Sequence, residues 1–383
     1  MISRPTWAEV SLTALRHNYA VIRDYVAPDA TVCAVIKADA YGHGAAACGT
    51  ALQKEGAKWF GVTCSEEGIQ LRQAGITGRM LLMGGFWRGE AETVVEYNLT
   101  PVIWDWEHIE QLESAAEKLD RAPESVAVHL KVDTGMARLG VPAGGLSGIL
   151  ETLKSAQFVM LEGLMSHLAS AEVVDAPDVD AQIQRFEEVA AAVHDAGLSP
   201  LYCHLANSAA IVTREKSWKN MVRPGISLYG YYLPFMSVIS RMPDTSHELP
   251  VVPVLSWKTR IIALRDVDAR QPIGYNGAYI TQSPARIAVL PVGYADGLNR
   301  HLSSRGRVLV RGDFASIVGN VSMDLTTIDV TGMSGVAVGD EVVLIGEQGQ
   351  RRISAWDHAS HSQTIPYEVL CNISKRVPRV YLE

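Results

Sequence analysis

Thr31-Val-Cys-Ala-Val-Ile-Lys-Ala-Asp-Ala-Tyr-Gly-His-Gly44 is the stretch from which the rest of the chain is read. Residues 31–36 form an apolar, partly β-branched run, the pattern of a strand buried on both faces. Lys37 stands where that strand ends, and a glycine-rich turn leads into a helix predicted over Ala45–Lys54. At the carboxyl mouth of a buried parallel strand a lysine packs its stem well, but its ammonium loses water. Desolvation lowers its pKa and exposes a nucleophilic amine, which a Schiff-base lysine needs. Pairing with a carboxylate such as Asp39 is the more ordinary reading of the same residues. Gly42-His-Gly-Ala-Ala-Ala47 also fits a dinucleotide fingerprint, with Glu66 about 20 residues on. The register is wrong for it, because five residues, Lys37 to Tyr41, separate the strand from the first glycine.

The chain of 383 residues is long enough for two domains, and 48% hydrophobic with 20% charged residues is a globular balance. A formal charge of −8 argues against nucleic acid or an anionic membrane as a main partner. No apolar run approaches the ~18 residues of a membrane helix, and Met1-Ile-Ser-Arg-Pro-Thr-Trp-Ala-Glu9 has no hydrophobic signal core. The five cysteines are scattered and never in C-x-x-C spacing, which predicts reduced thiols in a cytoplasm and no metal site.

Strand-like runs at 31–36, 58–63, 79–83, 100–103, 126–132, 158–166, 200–204 and near 221 alternate with helical stretches at 64–74, 89–97, 105–118, 143–154 and 179–195. This alternation predicts a (β/α)8 TIM-like barrel, with an open doubly wound sheet as the rival. Residues 233–250 hold several prolines and lose the alternation, as a linker would; beyond them, runs at 251–264, 285–291, 306–310, 315–321, 325–330 and 340–345 predict a mostly-β C-terminal domain. The boundary is expected at 240/241, with an opening strand near 6–12 pairing with the β domain.

In a barrel the chemistry sits at the C-terminal ends of the strands. Lys37 ends the first, Val126–Arg138 leads out of another, Ser166-His167 ends a third and His204–Ser208 a fourth. Ser208, beside Asn207, stands where a helix would begin, and Arg223-Pro-Gly-Ile226 forms a second such turn, with Gly225 allowing close backbone approach. Backbone donors and a hydroxyl at such turns suit phosphate. Singly, His167, His204 and Arg223 read as structural; gathered on one face, they read as a site.

Ala34-Val-Ile-Lys-Ala-Asp-Ala-Tyr-Gly-His-Gly44 resembles the cofactor-attachment segment of the alanine racemases. The resemblance extends over both domains: Lys131-Val-Asp-Thr-Gly-Met-Ala-Arg-Leu-Gly140, Gly163-Leu-Met-Ser-His167, Ala206-Asn-Ser-Ala-Ala210, Val222-Arg-Pro-Gly-Ile226, Gly274-Tyr-Asn-Gly277, Pro291-Val-Gly-Tyr-Ala-Asp-Gly297, Ser322-Met-Asp324 and Pro366-Tyr-Glu-Val369. It implies pyridoxal 5'-phosphate carried on Lys37, with Tyr41, Ser208, Gly225, Ile226 and Tyr367 at its phosphate. Arg223 would face the pyridine nitrogen and keep it unprotonated, because a guanidinium does not release its proton.

The resemblance further implies two-base racemisation, Lys37 abstracting from D-alanine and Tyr275 from L-alanine. Tyr275 and Met323 would come from the partner subunit of a homodimer with shared active sites, and a chain through His167, Arg223 and His204 would tune the phenol. Arg138 and the Met323 amide would hold the substrate carboxylate, a geometry suited to a fork-shaped cation. Lys131 resembles a position that is sometimes carbamylated, which would orient Arg138. Tyr294 would line the access corridor, and Tyr367 would favour alanine over larger side chains. Asn320 departs from the arginine that many members carry. The implied role is D-alanine supply for peptidoglycan. The alternative substrates are serine or a basic amino acid; a decarboxylase or a non-catalytic cofactor carrier are more distant rivals.

Overall fold

The computed structural model describes residues 4–243 and 246–383. Met1 to Ser3 of the opening stretch, and Asp244 and Thr245 of the expected linker, lie outside the described residues. The fold has two units: one holds Leu15–Ala40 and Ala45–Val252, the other the described residues up to Ala14, Tyr41–Gly44 and Pro253–Glu383.

After β1 (Thr6–Ser11), eight strands build the larger unit: β2 (Thr31–Val35), β3 (Trp59–Val62), β4 (Arg79–Leu82), β5 (Thr100–Ile103), β6 (Val126–Lys131), β7 (Val159–Met165), β8 (Tyr202–His204) and β9 (Met221–Val222). They form a parallel sheet in the order β8-β7-β6-β5-β4-β3-β2-β9. Asn220 N–H donates to Cys203 O at 3.3 Å and Arg223 N–H to Ala206 O at 2.9 Å, so the two ends of the sheet meet. The fold is thus a (β/α)8 barrel, and the open sheet is excluded. Every residue of β3 and of β5 is buried, as two-sided packing requires. Cys33, Trp59, Leu81, Val102, Met165 and Met221, drawn from six strands, fill the barrel interior as one apolar cluster. Truncating Trp59 to alanine there would cost about 3–5 kcal/mol.

Ser237, Val238 and Ile239 of the expected linker are tied to the barrel unit. The Asp175 carboxylate accepts from Ser237 Oγ at 2.7 Å, Val238 N–H at 2.6 Å and Ile239 N–H at 3.1 Å. The Asn18 side chain takes both backbone groups of Val252 at 2.8 Å. The boundary between units accordingly falls at Val252/Pro253. A proline count shows where regular structure stops, not what the backbone binds.

The second unit is built on a ten-stranded sheet. β1 lies inside it, antiparallel to Leu255–Arg260 and parallel to Arg379–Leu382, so both ends of the chain enter one sheet. Two helices, Ala355–Ser362 and Pro366–Cys371, were not anticipated by the strand pattern. Ser354 caps the first of them in a reciprocal box with Asp357, a signal present in the sequence. Among the described residues no helix is long and apolar enough to cross a membrane.

Candidate active site

Lys37 follows Ile36 directly off β2, and the chain then turns the wrong way. Ala38, Asp39, Ala40 and Tyr41 all have φ between 51° and 54°, one turn of left-handed helix without a glycine. Such a conformation costs roughly 1–2 kcal/mol per residue, so neighbouring groups must hold it. Ala40 N–H donates to Ile36 O at 2.9 Å, and Ala38 N–H to Glu67 Oε1 at 2.6 Å. The other oxygen of Glu67 accepts Thr63 N–H at 2.7 Å, which locks the ends of β2 and β3 together. Asp39, the carboxylate nearest Lys37 in the sequence, accepts Ala45 N–H at 2.7 Å and starts the following helix. Stored strain of this kind concentrates at functional sites. The glycine-rich turn expected here begins only at Gly42.

The remaining barrel residues stand at the same ends of their strands. Lys131 closes β6, Arg138 lies in the loop beyond it, His167 follows β7, His204 closes β8, and Arg223 follows β9. Buried Arg223 organises them: Nη2–H donates to Ser166 O at 2.8 Å and Leu205 O at 3.1 Å, and reaches His167 Nδ1 at 3.5 Å, while Nη1–H donates to His204 Nδ1. Asn207 caps the helix Ser208–Thr213 through Ala210 N–H. Ser208 Oγ gathers Gly225 N–H at 2.8 Å, Ser227 N–H at 3.3 Å and Ser227 Oγ–H at 3.0 Å, next to Ile226.

The electrostatics are those of a site built for an anion. Burial first, then Arg223, Arg138, Lys131 and Lys37, push His167 down to about 3. Burial, then Arg138, Arg223 and Lys37, lower Lys131 to about 8 against the opposing pull of Asp133. Burial lowers Arg223 itself to about 10. The repulsion among Lys37, Lys131, Arg138 and Arg223 would be relieved by a ligand bearing phosphate and carboxylate groups. The hydroxyls and backbone N–H groups around Ser208 are donors that phosphate oxygens accept. The residues present therefore fit a phosphorylated, amino-acid-binding cofactor such as pyridoxal phosphate.

The second unit holds the rest of the expected residues. The Tyr41 and Tyr367 rings pack 5.9 Å apart. Tyr294 N–H donates to Ser322 O at 3.0 Å and Ala295 N–H to Met323 O at 3.1 Å, which pairs the Tyr294 and Met323 turns. A Cβ on Gly293 would fall 2.2 Å from Ser322 O and 2.4 Å from Met323 O, so the approach demands glycine. Tyr275 sits in an exposed turn whose carbonyl accepts Asn320 Nδ2–H at 3.0 Å. Sequence reasoning passed over Glu67, His129, Glu162 and Ser227. His129 lies inside the quoted run 126–138, yet amid apolar neighbours it carries no distinguishing pattern.

A closed barrel with a lysine beyond β2, four converging cations and an appended β unit defines a two-domain barrel enzyme with an anionic ligand. Residues 10–233 match the alanine racemase N-terminal domain and residues 254–381 the alanine racemase C-terminal domain. The chain belongs to the alanine racemase family, a family of pyridoxal-phosphate-dependent isomerases. It is 40% identical to the alanine racemase of Halothermothrix orenii over 380 residues, 99% of this chain and 97% of that one. The crystal structure of alanine racemase from D-cycloserine-producing Streptomyces lavendulae superposes with a TM-score of 0.91 at 30% identity, covering 100% of this chain and 98% of that one. The alanine racemase of Bartonella henselae with covalently bound pyridoxal phosphate gives 0.86 at 29% identity, with 99% of each chain covered.

Proposed function

We propose that this protein interconverts L-alanine and D-alanine with pyridoxal 5'-phosphate, by proton transfer to and from opposite faces of the substrate α-carbon. The observation that most supports this reading is the convergence of Lys37, Lys131, Arg138 and Arg223 at the strand ends, around a His167 held neutral by burial and by their charge.

When bound, the cofactor supplies a conjugated ring that lowers the cost of removing the α-proton. Lys37 would hold it; Ser208, Gly225, Ile226, Tyr41 and Tyr367 would take its phosphate; and Arg223 would face its ring nitrogen. Arg223 can only donate hydrogen bonds, so it leaves that nitrogen unprotonated and favours return of the proton over side reactions. Lys37 Nζ serves one face and the phenol of Tyr275 the other. Arg138 and the Met323 N–H orient the substrate carboxylate, Tyr294 lines the way in, and Tyr367 limits the side chain to a methyl group.

In the isolated chain Tyr275 is 71% and Met323 53% exposed. That exposure supports the reading that both serve a partner subunit's site in a homodimer. We further read the protein as cytoplasmic, supplying D-alanine for peptidoglycan.

The test is the circular dichroism of L-alanine over time, with added cofactor, for wild type and Lys37→Ala. The signal should decay to zero only with wild type. A persistent signal, or equal decay in the variant, would overturn the reading.

A further inference from the structure

Behind Arg223 and His204 the barrel core holds further polar side chains that the reaction as described does not use. His204 Nε2 lies 2.7 Å from His129 Nδ1, and His129 Nε2 lies 3.6 Å from Glu162 Oε2. Arg79 Nη2–H donates to that same oxygen at 2.5 Å. The two histidines are wholly buried and Glu162 is 3% exposed. The line descends the barrel. Arg223 follows β9, His204 closes β8, His129 and Glu162 sit midway along β6 and β7, and Arg79 opens β4. At the lower end Arg79, Arg121 and Glu162 line a cavity of about 290 Å³.

The two charged ends decide where every proton lies. A guanidinium only donates, so His204 Nδ1 accepts from Arg223. Burial, then Arg223 and His129, lower His204 well below the ordinary histidine range, so it is neutral and its one proton is on Nε2, aimed at His129 Nδ1. Burial lowers His129 too, against the pull of Glu162. Its proton is therefore on Nε2, facing Glu162. Burial raises Glu162, but His129 and Arg79 outweigh it and keep the carboxylate ionised. Arg223 donates to His204 and His204 to His129, while His129 Nε2, 3.6 Å from Glu162 Oε2 and without a hydrogen-bond partner, faces the carboxylate as an electrostatic contact.

The backbone makes room for this line. A Cβ on Gly163 would lie 2.4–2.6 Å from three atoms of the His129 ring. The β6–β7 pairing also shifts register between Val128 and His129, an irregularity of the kind that re-aims a side chain.

We propose that His129 and Glu162 are positioning residues for Arg223, acting through His204: the charge of the buried carboxylate draws the His129 proton to Nε2, which leaves His129 Nδ1 to accept from His204 and keeps the His204 Nδ1 lone pair turned toward the guanidinium. This rests on the role given to Arg223 above. Among the described residues the line ends in the only carboxylate it contains; its charge acts on His129 across 3.6 Å, and polarisation along the two hydrogen bonds beyond carries the effect to Arg223.

Nitrogen-15 NMR of histidine-labelled full-length protein, with and without added pyridoxal phosphate, reads the tautomers directly. In wild type near neutral pH, His129 and His204 should both carry the proton on Nε2. In Glu162→Leu, His129 loses the negative charge facing its Nε2 and both rings should leave that tautomer. In the isosteric Glu162→Gln, kcat should fall about tenfold with KM within about twofold, and Glu162→Asp should recover part of the loss. Gly163→Ala should displace the His129 ring and reproduce the kcat loss with Glu162 intact. A wild-type His204 proton on Nδ1 would overturn the proposal, even if no variant folds. So would Glu162 variants with unchanged tautomers and unchanged kcat. A wild type with the expected tautomers but no alanine racemisation would sink the function proposed above and leave this chain of donors standing.

Discussion

Asn320 Nδ2–H donates to the backbone carbonyl of Tyr275 at 3.0 Å. The turn it braces needs bracing, since Gly274, Asn276 and Gly277 all have positive φ, at 72°, 59° and 58°. Asn320 is also the position at which the family resemblance leads one to expect arginine. A short amide can still satisfy the carbonyl, but it brings no charge beside the phenol. Asn320→Ala should therefore slow wash-out of the α-hydrogen of L-alanine in deuterated water several-fold, and that of D-alanine less, because the proposed mechanism assigns the latter to Lys37. The site is exposed, so unfolding free energy should change by no more than about 1 kcal/mol. Equal slowing from both enantiomers would separate Asn320 from Tyr275.

The left-handed turn after Lys37 makes a second prediction. Ala38 is exposed, with φ of 51°, and its N–H binds Glu67. Ala38→Gly relieves the strain and should raise unfolding free energy by about 0.5–1 kcal/mol. Ala38→Pro cannot adopt positive φ and removes the donor, so it should cost about 3 kcal/mol or more and abolish retention of the cofactor on Lys37. Denaturant titration and the cofactor absorbance of the dialysed protein measure both.

Lys131 is held near a pKa of about 8 against an ordinary 10.5. The unfolded chain therefore binds more protons than the folded one between about pH 8 and 10.5, and stability contributed by this group rises with pH through that window. Below about pH 8 the full penalty of burying the ammonium is present. Lys131→Met should thus stabilise the protein at neutral pH, on the order of 2 kcal/mol, and the gain should vanish toward the upper end of that window. The neutral amine can also add carbon dioxide, forming an N–C bond, releasing a proton and leaving a carbamate anion that would orient Arg138. With carbon-13 bicarbonate, a carbamate NMR signal should grow as pH rises past about 8 and be absent from Lys131→Met.

Arg223→Glu replaces a group that only donates with one that can protonate the ring nitrogen. Racemisation should fall by orders of magnitude, while transamination, read as pyruvate formed from alanine, should rise relative to it. Arg223→Lys keeps the charge but loses the fork that serves Ser166, Leu205 and His204 together. It should lower the rate without changing the partition between products. Wild-type partitioning in Arg223→Glu would remove this role from Arg223.

The strand positions of the barrel were legible because they are local. A run such as 58–63 is apolar on both faces wherever it folds, and turn residues bound it. Lys37, His167, His204 and Arg223 could be picked out because each follows such a run, and the barrel rule then puts them on one face. The expected linker shows the limit of that reading, since Asp175 and Asn18, far away in the chain, decide what residues 237–239 and 252 bind.

By itself the sequence determined the barrel, the mostly-β unit and the family, because hydrophobic period and short motifs are properties of neighbours along the chain. Tertiary structure alone decided that non-glycine residues take the left-handed turn beyond Lys37, that Asp39 caps a helix, and that His129 and Glu162 stand behind His204. Those facts depend on which groups meet across strands, and a lone histidine between valine and leucine looks the same on paper whether it ends in an apolar core or beside a buried carboxylate.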